Sequence, residues 1–141
     1  MHLTYVQSAE PYGHLENLLR RAIVAHGAGV TEQRSLASAV LAIIETNLKR
    51  RVVAVNSQGQ PLQYNLHYEV RFGLRDAAGN VLLKPQGIDL LRNFAYNVHI
   101  ELGASRRRSQ LVRDMQSEAA RLIMLRLEAL PAGDRASPGS G

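Results

Sequence analysis

Across residues 62–74 (LQYNLHYEVRFGL) the chain alternates apolar and polar side chains without a break. Leu62, Tyr64, Leu66, Tyr68, Val70, Phe72 and Leu74 take the even positions; Gln63, Asn65, His67, Glu69, Arg71 and Gly73 take the odd ones. Successive strand residues point to opposite faces, so this period of two predicts a strand with one greasy and one wet side. The greasy side needs an apolar cover, and the other can meet water or a polar partner.

The remaining pattern supplies neighbours and that cover. Residues 2–7 (HLTYVQ) predict a short first strand, ended by a loop around Pro11 and Gly13. Leu15, Leu18, Leu19, Ala22 and Ile23 recur at i, i+3, i+4, i+7 and i+8, one stripe on a helix of about 13 residues. Gly27 and Gly29 stop it. After a loop of small polar residues at 31–38, residues 40–55 are apolar at both ends and polar in the middle (ETNLKRR). Their β-branched content predicts a strand, with a bulge at Lys49, Arg50 and Arg51 where the alternation slips. Turns follow at 56–59 (NSQG) and 76–80 (DAAGN), the second with Gly79 suited to positive φ. Residues 81–96 return as a last strand, in which Pro85 and Gly87 suit an edge or a bulge. At about 3.3 Å per residue these long hairpins span roughly 45 Å, which predicts an elongated domain.

Ser105 is suited to cap a final helix over 105–130, whose buried stripe is Val112, Met115, Ala119, Leu122, Ile123, Leu127 and Leu130. Pro131 ends it, and the Pro, Gly, Ser and Ala of 131–141 predict a disordered tail. The expectation is an α+β fold in one domain, 1–130. It is a two-layer α/β sandwich with two helices packed on one face of a four-stranded, mostly antiparallel sheet.

Composition narrows this only a little. A chain of 141 residues is one domain in expectation, and its 45% hydrophobic and 21% charged residues are ordinary for a folded protein. Without cysteine there is neither a disulfide framework nor a thiolate metal site. No run approaches the roughly 20 apolar residues that span a bilayer. The net charge of +5 would attract nucleic acid, anionic lipid head groups or an acidic protein surface.

Candidate chemistry is sparse. The histidines, His2, His14, His26, His67 and His99, never fall at metal-ligand spacing. Neither a nucleophile motif nor a phosphate loop nor a dinucleotide fingerprint is present, so no catalytic residue, metal or cofactor is expected. The oddest feature is Arg106, Arg107 and Arg108. Three cations in the first turn of a helix oppose its dipole, at about 0.3–1 kcal/mol each. They form either a solvated cluster or a site for an anion that offsets the repulsion. In a meander the last strand ends beside the 56–60 turn, so this cluster, with Lys49, Arg50 and Arg51 leading toward it, predicts one basic tip. The alternative is that these cations only discourage edge-to-edge aggregation. Arg92 shares its face with Ile88, Leu90, Phe94 and Tyr96, which reads as a stacked or paired structural arginine.

Several ordered strings resemble the LptE family of outer-membrane lipopolysaccharide-assembly lipoproteins. They are the opening strand, the Leu-Arg-Arg-containing helix ahead of the glycine at 29, and the 55–59 turn followed by Leu62-Gln63-Tyr64-Asn65-Leu66. Further on come Val70-Arg71-Phe72-Gly73-Leu74, Asp76 with Gly79, Leu91-Arg92-Asn93-Phe94-Ala95-Tyr96-Asn97, and Met115 with Ala119-Ala120 and Leu125-Arg126-Leu127. The resemblance implies a non-enzymatic domain that plugs an LptD-like outer-membrane β-barrel and contacts lipopolysaccharide. It also implies an N-terminal lipid tether on the periplasmic side of the outer membrane; the lipidated cysteine is not in this sequence and is expected upstream. By the family's positions, lipopolysaccharide contact belongs to Asn56 and Ser57 and to the segment 104–108. The implied site is therefore Asn56, Ser57, Arg106, Arg107 and Arg108, to which the basic tip adds Lys49, Arg50 and Arg51. The family tends to acidic residues where this chain has its three arginines, so side-chain roles do not carry over there.

Two other readings compete. A nucleic-acid-binding module would need exposed aromatics for base stacking. Tyr64, Tyr68 and Phe72 fall instead on the core face, so no nucleic-acid partner is expected. A protein-only adaptor would recognise its partner through a sheet edge or the wet face.

Overall fold

The structure, a computed structural model, describes residues 3–8, 13–95 and 101–130. The tail expected to be disordered, together with His2 and Tyr96, lies outside them. In chain order the elements are β1 (Leu3–Ser8), α1 (His14–Ala25), β2 (Gly29–Val30), β3 (Ala39–Val55), β4 (Pro61–Asp76), β5 (Val81–Ala95) and α2 (Glu101–Glu128). A 3-10 turn, Arg34–Leu36, precedes β3.

The strands form one sheet in the order β2-β1-β3-β4-β5. The β3–β4–β5 meander is antiparallel as expected, whereas β1 runs parallel to both of its neighbours. The sheet is therefore mixed and five-stranded rather than four-stranded. The extra strand has only two residues, too short to show any period. Parallel neighbours need a crossover, and α1 supplies it. A reciprocal clip fastens β1: Leu3 N–H donates to Ser38 Oγ at 3.0 Å, and that hydroxyl donates to Leu3 O at 3.0 Å.

On β4, Tyr64, Leu66, Tyr68, Val70, Phe72 and Leu74 are all buried, and the odd positions face away from the helices. Leu62 alone departs from the greasy stripe: it lies beyond the last β5 pairing, Gln63 with Ala95, and is exposed. The cover consists of Leu15, Leu19 and Ile23 of α1 and Met115, Ala119, Ile123 and Leu127 of α2. α2 runs against the direction of β5. Arg107 lies over Phe94 near the end of β5, and Arg126 donates to Gln86 Oε1 and Gly87 O near its middle.

The structure moves two features. The bulge expected at Lys49–Arg51 is absent there: these residues pair in regular register with His67, Leu66 and Asn65. The shifts fall instead at Ile43/Glu45 and between Val52 and Val55. They bracket the charged segment, so its own alternation stays intact while that of the flanks slips. β5 meets both of its expectations. It is an edge strand, and its register shifts opposite Phe72, Leu74 and Arg75, around Pro85.

Candidate functional site

Two turns of the same design close the two ends of the meander. At one end Asn56 Oδ1 accepts from the Gln58 and Gln60 amides, each at 2.9 Å, and Gly59 has φ +77°. At the other end Asp76 Oδ1 accepts from the Ala78 and Asn80 amides, each at 2.9 Å, and Gly79 has φ +91°. A short polar side chain that captures two downstream amides, followed by a glycine at positive φ, is what a tight reversal demands. The Asp76 carboxyl is held below the usual carboxylate range, chiefly by the Asn80 side-chain amide; burial works against this and backbone amides assist it. Asn56, one of the expected ligand contacts, is thus committed to holding its own turn, while Ser57 stays exposed.

At the Asn56 end, Tyr64 of β4 and Phe94 of β5 pair across the sheet, with ring centroids 6.5 Å apart and planes inclined by 26°. Two guanidinium groups flank this aromatic pair. Arg50 Cζ lies 4.7 Å from the Tyr64 ring centre, and Arg107 Cζ lies 6.0 Å from that of Phe94. Such contacts add about 0.5–2 kcal/mol each and hold the cation's planar face on the ring, leaving donors at its rim. Arg92, two residues before Phe94, forms an ion pair with Glu118 and donates to Leu91 O at 2.8 Å. That is the paired structural arginine the sequence implied.

The basic tip divides in two. Arg50 and Arg107 meet at the aromatic pair, but Lys49 and Arg51 stand opposite His67 and Asn65, on the face away from the helices. Arg106, Arg107 and Arg108 sit about 100° apart around α2, so only one can turn toward the sheet, and it is Arg107. Arg106 is exposed and Arg108 half-buried. The helix also starts earlier than expected, at Glu101. Ser105 is therefore inside the helix and not its cap, and Arg106 is past the first turn. The free amides of a helix N-terminus do not lie at the three arginines, which removes the dipole-based case for an anion site there.

The face away from the helices carries a second cluster. His67 Nδ1 lies 3.3 Å from Glu69 Oε1, and His67 Nε2 lies 3.6 Å from Asp89 Oδ1. The three groups could hold a metal ion by geometry. Histidine spacing along the chain could not reveal them, because they come from two strands. The Lys49 ammonium, 3.7 Å from Glu69 Oε1, already supplies a counter-charge. Between the helices runs a further groove of about 290 Å³, lined by Leu18, Ala22, Ala120, Met124 and Leu125. His26 Nε2 and Glu128 Oε1 are in contact at its rim.

Sequence reasoning missed the role of Tyr64 and Phe94 in the tip, having placed both in the core. Both are in fact buried, so the core assignment holds. The available signal was that each strand carries an aromatic residue in the same terminal register, next to cations.

The same fold is found in solved structures of several lipoproteins. The rare lipoprotein B of Shewanella oneidensis superposes with a TM-score of 0.76 at 22% identity, covering 90% of this chain and 94% of that one. The minor lipoprotein of Acinetobacter baumannii gives 0.73 at 21%, covering 92% and 96%. An uncharacterized lipoprotein B of Nitrosomonas europaea gives 0.74 at 26%, covering 86% and 79%. The family model described as LptE, lipopolysaccharide-assembly, matches residues 2–127. The chain belongs to the LptE lipopolysaccharide-assembly family. No curated protein sequence matches it. Among the described residues no helix is long and apolar enough to cross a membrane.

Proposed function

We propose that this domain is a non-enzymatic lipopolysaccharide-assembly factor that plugs an LptD-like outer-membrane β-barrel. It binds lipopolysaccharide at its tip during insertion into the outer leaflet, and an N-terminal lipid holds it at the periplasmic side of the outer membrane. The observation that carries the binding site is the pair of guanidinium groups, Arg50 and Arg107, on the Tyr64–Phe94 pair. Guanidinium forks match phosphate oxygens in a bidentate way, and lipid A presents phosphates beside an apolar body. The exposed Leu62, two residues before Tyr64 on β4, suits the start of the acyl region.

Titration of labelled lipopolysaccharide against Arg50→Ala/Arg107→Ala should show affinity lowered about tenfold or more, given charge-assisted bonds worth about 1.5–3 kcal/mol each. Arg106→Ala/Arg108→Ala should change it by less than about threefold. Equal losses in the two variants, or none in the first, would remove the aromatic pair as the site. For the barrel, a pull-down from detergent-solubilised envelope should bring a large β-barrel with the domain. The nucleic-acid reading gains nothing, since Tyr64, Tyr68, Phe72 and Phe94 are all buried.

A further inference from the structure

β1 pairs with β3 only over Ala39–Ile43, yet β3 continues to Val55. From Ile44 onward, no strand among the described residues occupies that side of β3. The other side stays bonded to β4 as far as the Val55–Pro61 pairing. Among the described residues, a row of backbone donors and acceptors is therefore without a strand partner along one edge.

The side chains around this edge are unusually apolar for a free strand. Five of the eleven exposed large hydrophobics among the described residues lie within residues 44–55. Leu48, Val52, Val53 and Val55 are 43%, 45%, 45% and 55% exposed, and Ile44 is the fifth. Leu48 and Val52, opposite Tyr68 and Tyr64, face the helix side. Lys49 and Arg51, opposite His67 and Asn65, face the other side, as does Glu45 opposite Arg71, and Lys49 also lies 3.7 Å from Glu69 Oε1. What these two sets share is the edge itself, so a ligand lying on either face would satisfy only one of them. A strand added in the plane of the sheet satisfies both, with alternate residues addressing alternate faces.

We infer that the open edge of β3, residues 45–55, takes up an extended segment of a partner polypeptide by strand addition. The segment would carry carboxylates on the face of Lys49 and Arg51 and aliphatic residues on the face of Leu48 and Val52. Charge opposes a second copy of the chain in the register that pairs the whole of 45–55. Antiparallel self-pairing about Arg50 would set Lys49 against Arg51 and one Arg50 against another, and like charges directly opposite are destabilising. The inference does not depend on lipid binding at the aromatic pair.

The test uses a fluorescein-labelled peptide of alternating glutamate and valine, long enough to pair with residues 45–55. It should bind the intact chain at micromolar to sub-millimolar concentration and slow hydrogen exchange at amides within 45–55. The Lys49→Gln/Arg51→Gln variant, which leaves Arg50 in place, should bind it roughly threefold to thirtyfold more weakly, by the usual worth of such ion pairs. A peptide of alternating lysine and valine should not bind. N-methylation of alternate peptide amides, on the edge facing β3, should abolish binding. The inference is overturned if no binding is seen, if the N-methylated peptide binds as well as the parent, or if exchange at 45–55 is unchanged in the complex. Protection of these amides that rises with protein concentration alone would assign the edge to a second copy and overturn it equally.

Discussion

The two halves of β3 show what one strand becomes in two environments. Over Ala39–Ile43 it has β1 on one side and β4 on the other, and Ala39, Val40, Leu41 and Ile43 are buried. Past Ile44 its only strand neighbour among the described residues is β4, and Leu48 and Val52 are exposed although they stand opposite buried tyrosines. Leu48 and Val52 are as apolar as the residues of the first half, and for them it is the neighbours that differ. Burial here follows from β1 and α1, which cover the first half and stop, and the second half is left with the two properties a partner can use, an open edge and charge.

The sharpest way to break that contrast is to excavate both halves. Phe72, fully buried opposite Ile43, should cost about 3–5 kcal/mol of unfolding free energy as Phe72→Ala. Leu48→Ala should cost less than about 1 kcal/mol. Denaturant melts of the two variants check this, and comparable losses would mean that the distal half is covered in solution. A smaller effect distinguishes the two turns. Because the Asp76 carboxyl is held below its ordinary range, its charge stabilises the fold fully above the unfolded carboxylate value of about 3.9. That contribution declines as pH falls below this value and is gone once pH passes under the lowered folded value. Asp76→Asn, which gives this turn the Asn56 chemistry, should melt lower than the parent at pH 6, with the gap closing as pH drops toward 3. A gap that does not vary with pH would deny the carboxylate this role. The smallest effect lies at Thr4, fully buried with its hydroxyl unpartnered among the described residues. Thr4→Val should be neutral or stabilising by up to about 1 kcal/mol in the same melts, since no hydrogen bond is lost and a desolvation cost is relieved.

Much of this was legible because period-two and period-3.6 patterns report which face is covered. The stripe of α1 read correctly, as did the faces of β4 save for Leu62; the stripe of α2 also takes in Ala120 and Met124, which the reading left out. β2 did not, because two residues hold no period. Nor did the parallel placement of β1, since alternation along a strand is silent about its direction. The α2 start was misread because Ser105 is a good cap by type, yet Glu101 and its neighbours are also helix-compatible, and nothing local to Ser105 ends the helix there. At the site, the charges were visible but their faces were not. Lys49, Arg50 and Arg51 looked like one patch, and displacing the bulges to either side of them divides the group between two surfaces.

The parallel placement of β1 also fixes an order of assembly. The β3–β4 and β4–β5 hairpins close across turns of a few residues, whereas the Leu3–Ser38 clip joins groups 35 positions apart. Loop-closure entropy favours the short closures, so the expected order on refolding is the meander first, with its β3 edge as the template for the amino-terminal strand. During refolding that edge would stand open along its whole length until β1 docks, and β1 then seals only Ala39–Ile43.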